Sequence, residues 1–591
     1  MQFLLVAVNA KYIHTNPAIY SLRAYAGKEL APFVSLKEYT INNRMEEVLG
    51  DLYLKGPDVI GFSCYIWNFH FIQELLRELP KVLPKTEIWL GGPEVSFEAE
   101  KLLEKYPMVR GIMAGEGEET FKELLSFYVE RDRMQAEPTA DGNVPDVYRK
   151  LEEIPGLVLP EGATAARELA DFSSLPFLYD DLQEFNNKII YYESSRGCPF
   201  RCSYCLSSID KRVRFRDISM VKKELQFFLD SKVPQVKFID RTFNCDRSRA
   251  LEIWQFLADH DNGVTNFHFE VAADLMDEEA LALFKVMRPG LIQLEIGVQT
   301  TNPATLKEIN RLADIDKIAE IVREIRDGKN IHVHLDLIAG LPLEDYESFG
   351  NSFDQVYGMA PHQLQLGFLK VLKGTAIWEQ ADTYGIVYEE KPPYEVLYTN
   401  WISFGEILRL KQIEEMVELY YNSNQFVHTL PVLESEFASP FAMFEKLAAY
   451  YKEKGYFVNS PARSYRYQVL LDFVKERVQD KQELFAELLT FDFYLRENAK
   501  SRPVFAKDLS PWREKIWQFY CKEEEHPELL ADYSYYHARQ TMKMTHMEVF
   551  YYPVWADPEN GELVRQENPS FVLFDYAERD VLTGAAKIYL I

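Results

Sequence analysis

Short apolar runs alternate with amphipathic stretches over the first 125 residues of the 591-residue chain. FLLVAV (3–8), VSLKEYT (34–40), DVIGFS (58–63), EIWLGG (87–92) and GIMAGEG (111–117) read as strands. Between them, PAIYSLRAYAGKEL, NFHFIQELLRELPKVL and SFEAEKLLEKY carry apolar residues at helical spacing. This alternation predicts a parallel, doubly wound sheet whose ligands sit beyond the carboxyl ends of the strands. There the sequence places Asn9–Asn16, Ser63–Asn68, Gly91–Glu94 and Gly115–Glu118.

A second alternating series starts near residue 188. KIIYYESS, QVKFID, NFHFEVAA, LIQLEIGV, HVHLDLIAG and QLQLGFLKV read as strands separated by helices such as MVKKELQFFLDS and DIDKIAEIVREIRDG. Six such units predict an incomplete parallel barrel. Residues 136–187 are rich in Pro, Gly and polar residues and read as a linker carrying one hairpin. Beyond 386 the pattern changes to long helices dense in Tyr, Phe, Leu and Glu, with strands MEVFYYPVW, PSFVLFDY and AAKIYLI near the end. The predicted class is α/β, with units at 1–135, 188–385 and a mainly helical 386–591.

Composition narrows the function. The formal charge of −27 argues against an anionic membrane or a large nucleic-acid interface. MQFLLVAVNAKYIH lacks the basic start of a signal peptide, and no apolar run approaches the ~20 residues of a membrane span. Six cysteines in so long a chain are not a disulfide framework. A cytoplasmic enzyme is expected.

Three of those cysteines, Cys198, Cys202 and Cys205, stand at C-x3-C-x2-C in RGCPFRCSYCLSS, directly after the first barrel strand. That is the carboxyl-terminal mouth, where barrels keep their active sites. A closed zinc site and a simple electron-transfer cluster each take four protein ligands. Three thiolates can hold three irons of a [4Fe–4S] cluster and leave the fourth open to a substrate or cofactor. The alternatives are a structural zinc site recruiting Cys245, or buried thiols.

The motif in this position resembles the radical S-adenosylmethionine (SAM) superfamily, a likeness that extends over about two hundred residues of motif-bearing barrel. The resemblance implies that SAM chelates the open iron and is cleaved to a 5′-deoxyadenosyl radical. VKFIDRTFN resembles the second-strand motif, with Phe238, Ile239 and Asp240 beside the SAM amino group and backbone carbonyls making the contact. Many members carry Gly-Gly-Glu there. Glu270 would meet the ribose, and Glu295, Gly297 and Gln299 of LEIGVQT would lie near SAM. Arg311 would pair with its carboxylate, and Asp336 and Gly340 of LDLIAGLP fall in the adenine-binding region. For each carboxylate the alternative is an ion pair between barrel strands. His332 and His334 alternate with Asp336 on one side of their strand, where they either reach the substrate or fill the barrel.

DVIGFSCYIWN, IWLGGPEVS and IMAGEGEETF give three polar or Gly-rich turns on successive strands. Bare glycine backbone lets a bulky ligand lie close. The arrangement resembles the cobalamin-binding domain that precedes many radical SAM barrels. That resemblance implies Ser63, Gly91, Gly92, Glu94, Gly115 and Glu116 as cobalamin-lining residues. The D-x-H-x-x-G motif that supplies a cobalt ligand is absent: NAKYIHTNPA stands there, and His14 is either a replacement ligand or a satisfied loop or interdomain histidine. The alternative is a flavodoxin-like sheet serving as a scaffold. No G-x-G-x-x-G follows the first strand, which argues against the usual dinucleotide site.

Together the resemblances imply a cobalamin-dependent radical SAM methyltransferase using a [4Fe–4S] cluster, SAM and cobalamin. Its substrate would be a small molecule, peptide or nucleotide, and its electron donor a flavodoxin or ferredoxin. Cyclisation, rearrangement, carbon–sulfur chemistry and tRNA or nucleotide modification stay open, and a non-catalytic scaffold is the reading from another class. The last two hundred or so residues resemble a domain of unknown function that caps such barrels, with Trp401, Tyr420, Tyr421 and YSYYH (533–537) lining a pocket or forming helical core.

Overall fold

The computed structural model describes residues 1–136, 151–209, 212–478, 480–556 and 563–591. The first sheet runs Val34–Thr40, Phe3–Asn9, Val59–Ser63, Glu87–Gly91, Val109–Met113, all parallel. Every residue of Phe3–Asn9 is buried, as a strand covered on both faces requires. Phe3, Leu5 and Ala7 feed one hydrophobic cluster, and Leu4, Val6 and Val8 feed another on the opposite face. Helices Pro17–Leu30 and Glu118–Ala136 pack together, as do Met45–Lys55 and Phe69–Val82. Met45–Lys55 carries too many charges to stand out as a helix in the sequence pattern.

The hairpin expected in the linker is part of this sheet. Leu157–Leu159 pairs antiparallel with Val109–Met113, and Gly162–Ala163 follows it. The preceding stretch of the linker, 137–150, lies outside the described residues.

Six parallel strands in chain order form the second sheet: Ile190–Tyr192, Gln235–Phe238, Asn266–Val271, Ile292–Gln299, His332–Ala339 and Gln363–Phe368. The first and last do not pair, so the barrel stays open. Burial alternates strictly along Ile292–Gln299. Its apolar residues lie under the surrounding helices, and Gln293, Glu295, Gly297 and Gln299 occupy the other face. The same alternation puts His268 and Glu270, and His334 and Asp336, on the inner faces of their strands.

Beyond the barrel, helices Phe404–Met416, Pro440–Lys454, Arg466–Arg477 and Gln482–Arg496 extend the barrel's own hydrophobic core. A three-stranded antiparallel sheet, Thr545–Phe550, Ser570–Arg579 and Ala586–Leu590, closes the chain. Among the described residues, no helix is long and apolar enough to cross a membrane.

Candidate active site

The chain leaves the first barrel strand at Tyr192 and reaches the cysteine loop through Gly197. Gly197 has φ +101°, and a β-carbon there would collide with the Arg212 carbonyl, so only glycine fits. Cys198 and Cys202 are buried and Cys205 partly so; all are free thiols. Cys198 Sγ lies 3.7 Å from Thr242 Oγ1, and Cys202 Sγ 3.8 Å from Arg311 Nη1. Thiolates around one tetrahedral zinc ion would sit ~3.8 Å apart. Among the described residues the only trio of potential ligands within 4.8 Å of one another is Glu295, His334 and Asp336. The three sulfurs therefore do not all lie within 4.8 Å of one another.

The loop is braced from below. Asp240 is fully buried, and its carboxylate accepts from Ser194 N at 2.9 Å, Ser194 Oγ at 2.7 Å and Ser195 Oγ at 2.6 Å. Burial pushes its pKa up to about 6 against those donors. The side chain expected beside SAM is thus committed to the strand entering the cysteine loop. The Phe238 ring likewise packs on Tyr192, Phe243 and Phe269 and is core. Only the backbone at these positions can meet a ligand.

On the next strands the polar groups open toward the barrel mouth. Glu270 takes no hydrogen bond from any described residue; burial, then the Glu295 carboxylate, push its pKa up to about 7. Glu295 accepts from Lys237 Nζ at 3.0 Å, and His268 Nε2 lies 2.9 Å from it. Burial opposes its charge, but His268 and Lys237 outweigh that and bring the pKa down to about 2. Arg311 donates to the Gly297 carbonyl and to Tyr204 Oη at 3.4 Å, which ties the cysteine loop to the fourth strand. Gln299 has φ +75° and folds its amide over Gly297, where a β-carbon would strike it. Gln299 Oε1, Arg311 Nε, Asp336 Oδ1 and Ser203 Oγ are buried without a hydrogen-bond partner. Buried polar atoms left with capacity for a further bond fit a polar ligand at this place. At Gly340 a β-carbon would meet Val396 Cγ1 at 2.7 Å, so the bare backbone packs closely against the hairpin that follows the barrel.

The carboxyl edge of the first sheet faces this mouth across a cavity of about 570 Å³. Ser63, Gly91, Gly92, Gly115 and Glu116 line one side, and Leu206 and Ile209, just past Cys205, line the other. Gly115 has φ +82° with open space around its absent β-carbon. Gly92, at φ +112°, instead backs onto the Cys64 carbonyl, which a β-carbon would meet at 2.5 Å. Ser63 Oγ accepts from Asn16 Nδ2 at 3.1 Å. Glu94 is not in the cavity: it is buried and accepts from the Tyr394 hydroxyl. Glu116 pairs with Arg196 at 3.4 Å and with Arg214. His14 Nδ1 lies 2.5 Å from the Tyr191 hydroxyl on the first barrel strand, the interdomain alternative.

Comparison with known families agrees with this division. Residues 4–125 match the B12 binding domain, 192–356 the Radical SAM superfamily, and 382–574 a protein family of unknown function, DUF4080. The chain has the cobalamin-binding, radical SAM domain architecture. Its cobalamin-dependent radical SAM relative TokK from Streptomyces tokunonensis, a methyltransferase, is 26% identical over 57% of this chain and 51% of that protein. The 2-(S-pantetheinyl)-carbapenam-3-carboxylate methyltransferase of Streptantibioticus cattleyicolor is 24% identical over 52% and 46%. The alignments thus span about half of each of these relatives. In fold, the chain is similar to TsrM from Kitasatospora setae (TM-score 0.51, 17% identity, 67% of this chain and 82% of that one). It is also similar to OxsB (TM-score 0.54, 16% identity, 83% and 78%).

The radical SAM residues fit their cofactors. The spread thiol trio suits a cluster, and the orphaned groups of Gln299, Arg311 and Asp336 suit a polar ligand beside it. The open cavity over Gly91 and Gly115 suits a nucleotide-bearing group at the cobalamin-type sheet. Residue patterns missed the latch between the two domains. Arg196, two residues before Cys198, pairs with Glu118 at 3.1 Å and Glu193 at 2.8 Å besides Glu116. The GEGEE turn signalled a ligand loop, yet its carboxylates hold the cysteine loop in place. Trp401, Tyr420 and Tyr421 have separate partners. Tyr420 bonds the Tyr451 hydroxyl at 2.6 Å, Tyr421 donates to the Pro361 carbonyl, and Trp401 lies beside Tyr384. In the YSYYH run, Tyr533 donates to Asp575 while Tyr535 is exposed.

Proposed function

We propose that this chain is a cobalamin-dependent radical SAM enzyme that methylates an unactivated carbon of a small-molecule, peptide or nucleotide substrate. The shared cavity carries this reading: one space touches both the glycine turns of the cobalamin-type sheet and the chain just past Cys205. A substrate held there lies between the places of the two cofactors. Cys198, Cys202 and Cys205 would hold three irons, leaving the fourth for SAM. Bound there, the cluster would supply the reducing electron for radical chemistry on SAM, and cobalamin would supply a methyl group.

The chain's own residues orient and insulate. Asp240 and Arg196 fix the approach to the cysteine loop. Arg311, held at Gly297 and Cys202, offers its free Nε to a carboxylate. Glu270 offers an unpaired carboxylate to a hydroxyl donor. Tyr65, Phe97, Phe172 and Leu175 give the cavity apolar walls that keep water from a reactive carbon radical. The electron would come from a flavodoxin or ferredoxin.

A second reading, radical cyclisation without methyl transfer, is favoured by alignment with the anaerobic magnesium-protoporphyrin IX monomethyl ester cyclase of Rubrivivax gelatinosus, 24% identical over 51% of this chain. Methyl-labelled SAM separates the two. Label in the product supports methylation, and 5′-deoxyadenosine with an unlabelled product supports cyclisation. Absence of 5′-deoxyadenosine from cluster-loaded, reduced protein would sink both.

A further inference from the structure

Below its mouth, the open barrel encloses a polar cluster with unmet bonding capacity. Glu295 stands in register with His334, and Gly297 with Asp336, on the fourth and fifth barrel strands. Glu295 precedes Gln299 by four residues, which puts it about 13 Å down the strand from that group at the mouth. One ligand atom from each of Glu295, His334 and Asp336 lies within 4.8 Å of the others, the only such trio among the described residues. His334 is 6% exposed, and its Nε2 lies 3.0 Å from Asp336 Oδ1. Neither atom makes a hydrogen bond. At that distance only direction can fail, so the imidazole nitrogen aims past the oxygen. Two ligands about 2.1 Å from one ion and at right angles stand about 3.0 Å apart, each aimed at the ion and not at its neighbour.

We propose that Glu295, His334 and Asp336 form a site for a divalent transition metal of the zinc class, inside the barrel and separate from the cysteine loop. One imidazole with two carboxylates is a donor set such ions take, leaving a fourth position for water or another donor. Magnesium and calcium, which take oxygen donors, suit it less. Lys237 donates to Glu295 Oε2 at 3.0 Å, and His268 Nε2 lies 2.9 Å from that same oxygen. The carboxylate is thus fixed through one oxygen while the other remains to serve as ligand, the outer support that metal-binding carboxylates receive. Burial, and then the charges of Glu295 and Asp336, raise the Glu270 pKa, so a cation here would relieve repulsion among three carboxylates. The rival arrangement, an imidazolium paired with Asp336, would aim the N–H at the carboxylate oxygen, which His334 does not do. The ion would pin the fourth strand to the fifth. This site stands independently of the radical SAM reading.

The test uses the full chain, loaded anaerobically with its cluster, equilibrated with zinc and passed over a chelating resin. Zinc and iron are then measured by plasma mass spectrometry. Wild type is expected to retain about one zinc per chain beside its iron. His334→Ala and Glu295→Gln should each retain at least about 10-fold less zinc with iron unchanged. The Cys198→Ala, Cys202→Ala, Cys205→Ala triple variant should do the reverse, keeping zinc and losing iron. X-ray absorption at the zinc edge of wild type should show nitrogen and oxygen neighbours at about 2.0–2.2 Å. Zinc absent from wild type, zinc with sulfur neighbours, or zinc kept by His334→Ala would overturn the proposal. If circular dichroism shows that His334→Ala misfolds, the near-isosteric Glu295→Gln decides, and zinc kept by that variant is equally fatal. Wild type that holds zinc through nitrogen and oxygen but no iron would support this site while ending the cluster reading.

Discussion

Glu270 shows at the scale of one side chain how function competes with stability. Its pKa of about 7 stands above the ordinary carboxylate value because burial and Glu295 disfavour the charge. Between about pH 4.5 and 7 the folded protein keeps a proton that the unfolded chain has released. Rising pH therefore removes stability across that window, and the loss is complete above 7. Glu270→Gln should raise the unfolding midpoint at pH 8, by an amount on the order of 2 kcal/mol, and leave it unchanged at pH 4. The same substitution should weaken SAM binding at pH 8, where the carboxylate is an acceptor. A midpoint difference independent of pH would show that Glu270 is not the group responsible. Asp240 presents the opposite case, a carboxylate whose three donors make it structural. Asp240→Ala strands Ser194 and Ser195 and should lower retained iron after cluster loading, read by iron analysis, with the sheet intact by circular dichroism.

At the scale of strands and turns, the two glycine motifs of the first sheet divide their work. Gly92 is required by its close approach to Cys64, and Gly115 by its left-handed backbone in open space. Gly92→Ala should destabilise the sheet by about 1–3 kcal/mol or more through strain and collision. Gly115→Ala should cost about 1 kcal/mol and act mainly on cobalamin affinity, measured by equilibrium dialysis. If Gly92→Ala unfolds no earlier than Gly115→Ala, the assignment is wrong. This division was not visible in the residues, because both glycines close similar motifs. The strands and their order of appearance were legible, since alternating hydrophobicity records which faces a neighbour will cover. Partners far away in sequence were not. Nothing near Glu94 or Gly340 announces Tyr394 or Val396, the residues they meet in the fold.

At the scale of the molecule, the chain just beyond the barrel links the last barrel strand back to the first sheet. The segment after the last barrel strand reaches the first domain: Tyr394 bonds Glu94, and Lys373 lies 3.5 Å from Glu98. Arg196 makes a second link between that domain and the cysteine loop. Tyr394→Phe leaves the Glu94 carboxyl buried without its donor, a cost of about 1–3 kcal/mol. The loss should appear as faster hydrogen exchange in 93–98 and 387–398, with the barrel helices unchanged. Uniform exchange changes would place Tyr394 outside any interdomain clasp. The motif cysteines and the open barrel could be read before folding was considered, because cluster chemistry fixes the cysteine spacing and strand–helix alternation marks the barrel. The cavity that joins the two domains could not, because it is lined by many separate segments between Leu5 and Ile239.

The measurement that tests the account most directly is metal analysis with a visible spectrum after anaerobic loading with iron, sulfide and hydroxocobalamin and removal of unbound cofactor. Wild type should retain about four irons and about one cobalt per chain. The Cys198→Ala, Cys202→Ala, Cys205→Ala triple variant should lose the iron and keep the cobalt. Iron retained by the triple variant would contradict the cysteine assignment, and iron without cobalt in wild type would leave the first sheet a scaffold and end the methyltransferase reading.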